Sequence, residues 1–272
     1  LTTPLTPTGL RCAYKTDPLG VAPDRVRFSW ILQGTGQAQT AYQILLTQGG
    51  TTVWDSARIE SDRTTDIPYG GPPLAGRTRY HWKVQAWDET GAASGWSAPA
   101  AFETGISERT GGWHANWITL GRIREEFRPP SEPGPSDPVL NALMPAPYLR
   151  REFSVDQPAA AARLYITALG LYEARLNGQR VGDGFLAPGW TDYTQRIAYQ
   201  AYEVTGLLRP GDNVLGVIVA DGWYAGFFGF DAKRAGAHYG TEPELLAQLV
   251  LRLADGSEQR IVTDGQWESA AG

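Results

Sequence analysis

Between Arg79 and Ala86 polar and apolar residues alternate without a break, Tyr80, Trp82, Val84 and Ala86 against Arg79, His81, Lys83 and Gln85. A repeat of two residues is that of a β-strand with one face in a core and the other in water. Shorter runs of the same kind occupy Arg25–Trp30, Thr40–Thr47 and Thr51–Ser56, and a closing strand is expected at Phe102–Thr104. Together they predict a β-sandwich over residues 1–105, with Trp30, Trp54, Trp82 and Trp87 packed in its core.

The second half shows the same period. Ala162, Leu164, Ile166 and Ala168 alternate with Arg163, Tyr165 and Thr167, which places the second set in water, and Gly170 then marks a bulge or bend. Asn177-Gly178 lies between two strand-like runs, and both residue types tolerate positive φ, so a tight hairpin is expected there. The segment from Leu245 to Leu253 favours helix by propensity. Its strict alternation (Leu245, Ala247, Leu249, Leu251, Leu253) and the Asp255-Gly256 turn that follows favour a second hairpin instead. Between the halves, Arg128–Pro147 holds seven of the 19 prolines, which removes backbone donors and predicts a linker. Just upstream, Trp113 and Trp117 are read as anchors docking one sandwich on the next. The expected organisation is all-β: a first sandwich over 1–105, a Trp-containing junction and Pro-rich linker over 106–147, and a jelly-roll-like second sandwich over 148–272.

Composition supports this class, since 32 Gly, 19 Pro and 11% aromatic residues suit short strands joined by many turns. At 272 residues the chain has room for two cores. The net charge of −5 without a basic run gives no footprint for nucleic acid or an anionic membrane, and no apolar run approaches the roughly 20 residues of a membrane helix. A lone Cys12 excludes an internal disulfide, and one Cys with three His makes no zinc constellation. The opening LTTPLTPTGL lacks the charged start and apolar centre of a signal peptide. Compartment stays open between cytoplasmic and secreted.

Candidate chemistry concentrates in two loop-like stretches, PGWTDY and DGWYAGFFGFD, which supply Trp190, Asp192, Tyr193, Asp221, Trp223, Tyr224 and Asp231. Aromatic rings for the apolar C–H face of a sugar, with carboxylates for its hydroxyls, are what a carbohydrate site on a rigid scaffold requires. In the alternative reading the aromatics plug the sandwich ends and the aspartates cap turns. Asp183, Asp192, Glu203 and Asp221 are candidate catalytic carboxylates by residue type alone, although acidic residues in β-turns are more often turn-formers than catalysts. GWYAGFFGFDAKRAG is glycine-rich but has neither the strand-to-helix context nor the Lys-Ser/Thr of a phosphate loop.

LGLYEARLNGQRVGD, APGWTDY and DGWYAG occur in this order within a longer run from LRREFSV to LLAQLVLRLADGS. That run resembles the amino-terminal β-sandwich of bacterial α-L-rhamnosidases. The segment LAGRTRYHWKVQAWDETGAASGWSAPAAFET in front resembles the end of a fibronectin type III domain. The resemblance implies a parent enzyme that removes terminal α-L-rhamnose with inversion, by chemistry housed in a helical toroid that nothing here matches. The chain is therefore expected to be a non-catalytic accessory region, inactive alone, with no catalytic residue and its last sandwich cut short at TDGQWESAAG. Its expected partners are L-rhamnose or rhamnosylated glycosides and the remaining domains of the parent enzyme. The alternative is a purely structural module that braces the toroid without sugar affinity. No cofactor is required by the resemblance, although some similar modules bind rhamnose through Ca2+, for which Asp183 and Asp231 are the positions to test.

Overall fold

A computed structural model describes residues 5–34, 38–107, 111–120, 145–226 and 239–272. The chain divides into two compact units between Trp113 and His114. Most of the proline-rich stretch lies outside the described residues.

In the first unit β1 (Thr6–Cys12), β2 (Arg27–Gln33) and β6 (Ile67–Pro68) form one antiparallel sheet. The second sheet runs β4 (Thr51–Asp55), β3 (Gln39–Gln48), β7 (Arg79–Asp88), β8 (Ala100–Glu103), with β5 (Ile59–Glu60) also paired to β3. The β7 alternation does what its period predicts: Tyr80, Trp82, Val84 and Ala86 are buried, while Arg79 and His81 face water. The core is largely aromatic. Phe28 packs on Trp82 with ring centroids 4.5 Å apart, and Tyr80 stacks on Phe102 at 5.4 Å. The buried Trp30 indole donates to Gln39 Oε1 (3.0 Å), so neither polar group is stranded. Trp54 packs half-buried at the core edge, whereas Trp87 lies on the outer face of β7 beneath the Arg58 guanidinium at 5.1 Å and is not core. Cys12 is buried, which pushes its thiol up to about 12 and leaves it inert at neutral pH.

The second unit is a sandwich of two antiparallel sheets. One runs β13 (Gln200–Glu203), β10 (Ala159–Leu169), β15 (Glu244–Leu253), β16 (Glu258–Val262). The other runs β12 (Gln179–Arg180), β11 (Leu171–Leu176), β14 (Gly211–Ala220), β9 (Pro147–Val155), β17 (Glu268–Ala271). Strands distant in sequence lie side by side, β10 with β15 and β14 with β9, which is the crossover wiring of a jelly-roll-like fold. The core between the sheets is mainly aliphatic, built from residues such as Leu164, Ile166, Leu215, Val217, Leu245 and Leu249.

Both hairpins form where the turn residues place them. Asn177 (φ 53°) and Gly178 (φ 81°) join β11 to β12, and Asp255-Gly256 joins β15 to β16. Gly170 is obligatory: at φ 126° a Cβ would lie 2.2 Å from the Ala220 carbonyl oxygen.

A further expectation is corrected. Tyr165 and Thr167 are not in water but buried, because residues 195–199 fold back over the outer face of β10. Thr167 donates to the Ala198 carbonyl (2.6 Å), and Tyr165 meets the Tyr199 ring edge-on at 6.4 Å. Asn116 N donates to Thr263 O (2.8 Å) and Ile118 exchanges backbone bonds with Leu245, so residues 114–118 belong to the second unit.

Candidate functional site

The site is built at one end of the second sandwich by the chain leaving β12 and by the turn that follows β14. Arg180 holds the first part of the loop. Its guanidinium donates to Gly184 O (2.8 Å) and lies over the Phe185 ring at 4.6 Å. Tyr172 N then donates to Ala187 O (2.9 Å) and Gly189 N to Leu186 O (3.0 Å), closing the bend that contains the cis Ala187–Pro188 peptide. A side-chain chain fixes the bend to the sheets: Tyr172 Oη donates to Gln200 Oε1 (2.7 Å), and Gln200 Nε2 donates to Pro188 O (3.1 Å). The loop is thus pre-organised, with its backbone carbonyls satisfied from the β-scaffold.

From this bend Trp190 emerges 53% exposed. Its ring is parallel to that of Trp223, with centroids 6.0 Å apart and planes 3° from parallel. Trp223 comes from the single helical turn α1 (Gly222–Ala225) at the end of β14, where the Asp221 carbonyl accepts from Tyr224 N and Ala225 N. Gly222 adopts φ 52°, and a Cβ there would strike the Leu171 side chain at 2.7 Å, so the tight exit from β14 needs glycine. Tyr193, Tyr224 and Tyr239 form a separate ring cluster. Tyr193, 8% exposed, meets Tyr224 at 5.3 Å and Tyr239 at 5.0 Å, both edge-on, and among the described residues its hydroxyl has no hydrogen-bond partner. Burial raises the phenols of Tyr193 and Tyr224; Glu244 adds to the second. Glu244 is itself raised by burial and by Glu242 nearby.

The structure brings together four of the sequence-identified residues, Trp190 and Trp223 as an outward pair and Tyr193 and Tyr224 as an inner cluster. The carboxylates behave differently. Asp192 Oδ1 accepts from Thr194 N (3.0 Å) and Thr194 Oγ1 (2.6 Å), the pattern of a turn-forming aspartate. Asp221 starts α1 through its carbonyl. Glu203 accepts from Thr205 N (3.0 Å) and pairs with Arg163 at 3.2 Å. Asp183 stands exposed between two glycines, with the Arg180 guanidinium already on the neighbouring Gly184 carbonyl. Among the described residues no group of three or more His, Cys, Asp or Glu gathers there, and one carboxylate beside a cation does not fit Ca2+, which takes six to eight oxygens. Asp231 lies outside the described residues.

Three contributors were not read from sequence: Tyr239, which completes the trio, and Phe185 and Leu186, which are 83% and 59% exposed. The signal for the last two was present as consecutive large apolar residues inside a run of turn formers, a violation of binary patterning.

Residues 157–272 match the sequence model of the α-L-rhamnosidase N-terminal domain, and residues 7–108 that of the Rha78A-like N-terminal immunoglobulin domain. The chain carries the amino-terminal domain pair found in α-L-rhamnosidases. Its first unit, read as fibronectin-like, matches under the immunoglobulin name; the two share one sandwich architecture. An α-L-rhamnosidase of Alteromonas sp. (strain LOR) is 35% identical over 274 residues, covering 97% of this chain and 28% of the relative. The crystal structure of Streptomyces avermitilis α-L-rhamnosidase complexed with L-rhamnose aligns with a TM-score of 0.84 at 28% identity, covering 99% of this chain and 41% of that one. The native α-L-rhamnosidase of Aspergillus terreus aligns at 0.82 and 34% identity, covering 99% and 30%. The chain therefore spans well under half the length of these rhamnosidases.

Proposed function

We propose that the chain serves an α-L-rhamnosidase as a non-catalytic accessory region and that the rim of its second unit binds L-rhamnose or rhamnosylated glycosides. The observation that carries this reading is the parallel Trp190–Trp223 pair, held outward by a loop fastened to both sheets. A half-exposed indole gains little for folding where it stands, yet offers a rigid apolar face to the C–H side of a sugar ring. The carboxylates of Asp192 and Glu203 have local structural tasks, which favours accessory binding over hydrolysis. Titration calorimetry with L-rhamnose tests the reading. Heat of binding is expected, equal with and without Ca2+, and weakened by about 1 kcal/mol or more in Trp190→Ala.

Phe185 and Leu186 favour a second reading. Large apolar side chains held this far out on a fastened loop mark a surface that docks on protein, and here the partner is a further domain of a rhamnosidase. If L-rhamnose gives no heat and Trp190→Ala melts well below the parent protein, the brace accounts for the loop and the sugar site is discarded.

A further inference from the structure

The outer face of the five-stranded sheet of the second unit carries a trough of about 440 Å³ that the rim loop does not enter. Its floor is one cross-strand row, Arg175 on β11, Gly216 on β14, Arg150 on β9 and Glu268 on β17. Gly216 is the unexpected member. It lies in the middle of β14 without the positive φ that would demand glycine, and a Cβ there would meet nothing nearer than Arg175 O at 4.0 Å. Glycine in a strand interior weakens the strand and often marks a bulge, a bend, or the close approach of a ligand or another backbone; the register through Gly216 shows no bulge. Neither backbone nor packing calls for it at this position; its effect is to keep the trough open between two arginines.

The lining fixes the chemistry of an occupant. Arg150 pairs with Glu268 (2.7 Å) and Glu152 (3.4 Å), and Arg175 with Glu173 (2.9 Å), which Arg180 also approaches (3.4 Å). Of these, Arg150 and Arg175 line the trough with Glu173 and Glu268, two arginines against two glutamates, which leaves the walls neutral, so an anionic ligand gains no net attraction. Each pair still holds free N–H donors and carboxylate lone pairs in planar, mutually fixed positions. In the adjacent row the half-exposed Tyr148 presents a ring beside Ile218. An aromatic surface with neutral planar donors and acceptors suits a polyhydroxylated ring. We infer that this trough is a second carbohydrate site, separate from the rim, which takes a neutral oligosaccharide along the row Arg175–Gly216–Arg150. The inference shares the sugar-binding role of the proposed function but none of its residues.

The test is titration of the whole chain with a neutral rhamnose trisaccharide, followed by calorimetry and amide NMR shifts. Two sites are expected. Gly216→Thr closes the trough and removes one site, weakening it about ten-fold or more, while the melting temperature holds or rises because a β-branched residue replaces glycine in a strand. Tyr148→Ala, at an exposed position, weakens the same site without unfolding risk. Trp190→Ala leaves this site intact. Loss of all binding in Trp190→Ala, shifts confined to the rim, or a trough site unaffected by both Gly216→Thr and Tyr148→Ala overturns the inference while leaving the rim proposal standing. A site that survives Trp190→Ala but disappears in Tyr148→Ala supports the trough even if the rim fails.

Discussion

The two units use aromatic residues in opposite ways. In the first they are the core: Phe28, Trp30, Tyr80, Trp82 and Phe102 fill the space between two small sheets. In the second the core is left mostly to Leu, Ile, Val and Ala on strands of up to 11 residues, and the aromatics gather at one end. The first unit has few, short strands in one sheet, so large side chains are needed to fill its interior to native density. The second buries long alternating aliphatic rows and uses few aromatics in its core, such as Phe153 and Tyr172. Identical residue types thus carry different meanings. Trp82 is explained by packing, whereas Trp190 is not, and what packing leaves unexplained is where function is sought.

The sharpest way to break the comparison is to remove a core aromatic. Trp82→Ala is expected to cost about 4 kcal/mol, enough to lose most of the first unit's stability. Scanning calorimetry should show its transition collapse while that of the second unit stays in place. If Trp82→Ala is tolerated, the aromatic core is not what holds the first unit.

Next in size is Asn177→Ala. Beyond adopting φ 53°, Asn177 donates from Nδ2 to Leu207 O (2.9 Å) and Asn213 Oδ1 (2.8 Å) and accepts from Val214 N (3.0 Å). Asn213 is wholly buried, so the substitution strands polar groups as well as straining a turn. The expected loss is about 2–3 kcal/mol, read from urea unfolding of the second unit. A loss under about 1 kcal/mol would reduce Asn177 to a turn former.

A smaller effect separates the units by pH. In the first, hydrogen bonds from the Thr90 hydroxyl, then from nearby backbone N–H groups, hold the Asp88 carboxyl below its ordinary range. That stability is present at neutral pH and is lost as pH falls through the lowered folded value. In the second, burial and Glu242 raise Glu244, so its contribution is full in acid and is lost as pH rises through the raised value. Asp88→Asn should flatten the first unit's acid loss and Glu244→Gln the second unit's loss toward neutrality. Thermal melts of both variants from about pH 3 to pH 7 cover the two windows. Equal slopes before and after substitution would contradict the assignment.

Much of the scaffold was legible because its signals are local. The β7 alternation and the Asn177-Gly178 and Asp255-Gly256 turns each depend on neighbours a few residues away. What escaped depends on contacts with no periodic signature. Tyr165 and Thr167 read as a wet face because the chain that covers them, residues 195–199, is irregular. Trp87 read as core because aromatic type suggests burial, although it sits one step out of phase with Tyr80 and Trp82. The Asn177–Asn213 pair spans 36 residues. At the rim, Trp190 and Trp223 were identified by type and loop context, but the turn role of Asp192 and the burial of Tyr193 emerge only when Thr194, Tyr224 and Tyr239 are placed around them.

The central claim, that rim aromatics bind sugar while core aromatics only pack, is tested most directly by the indole N–H signals of the ten tryptophans during an NMR titration with L-rhamnose. The account predicts shifts at Trp190 and Trp223 that saturate together, with Trp30 and Trp82 unmoved. Unchanged spectra at saturating L-rhamnose, or shifts at Trp30 and Trp82 without the rim pair, would contradict it.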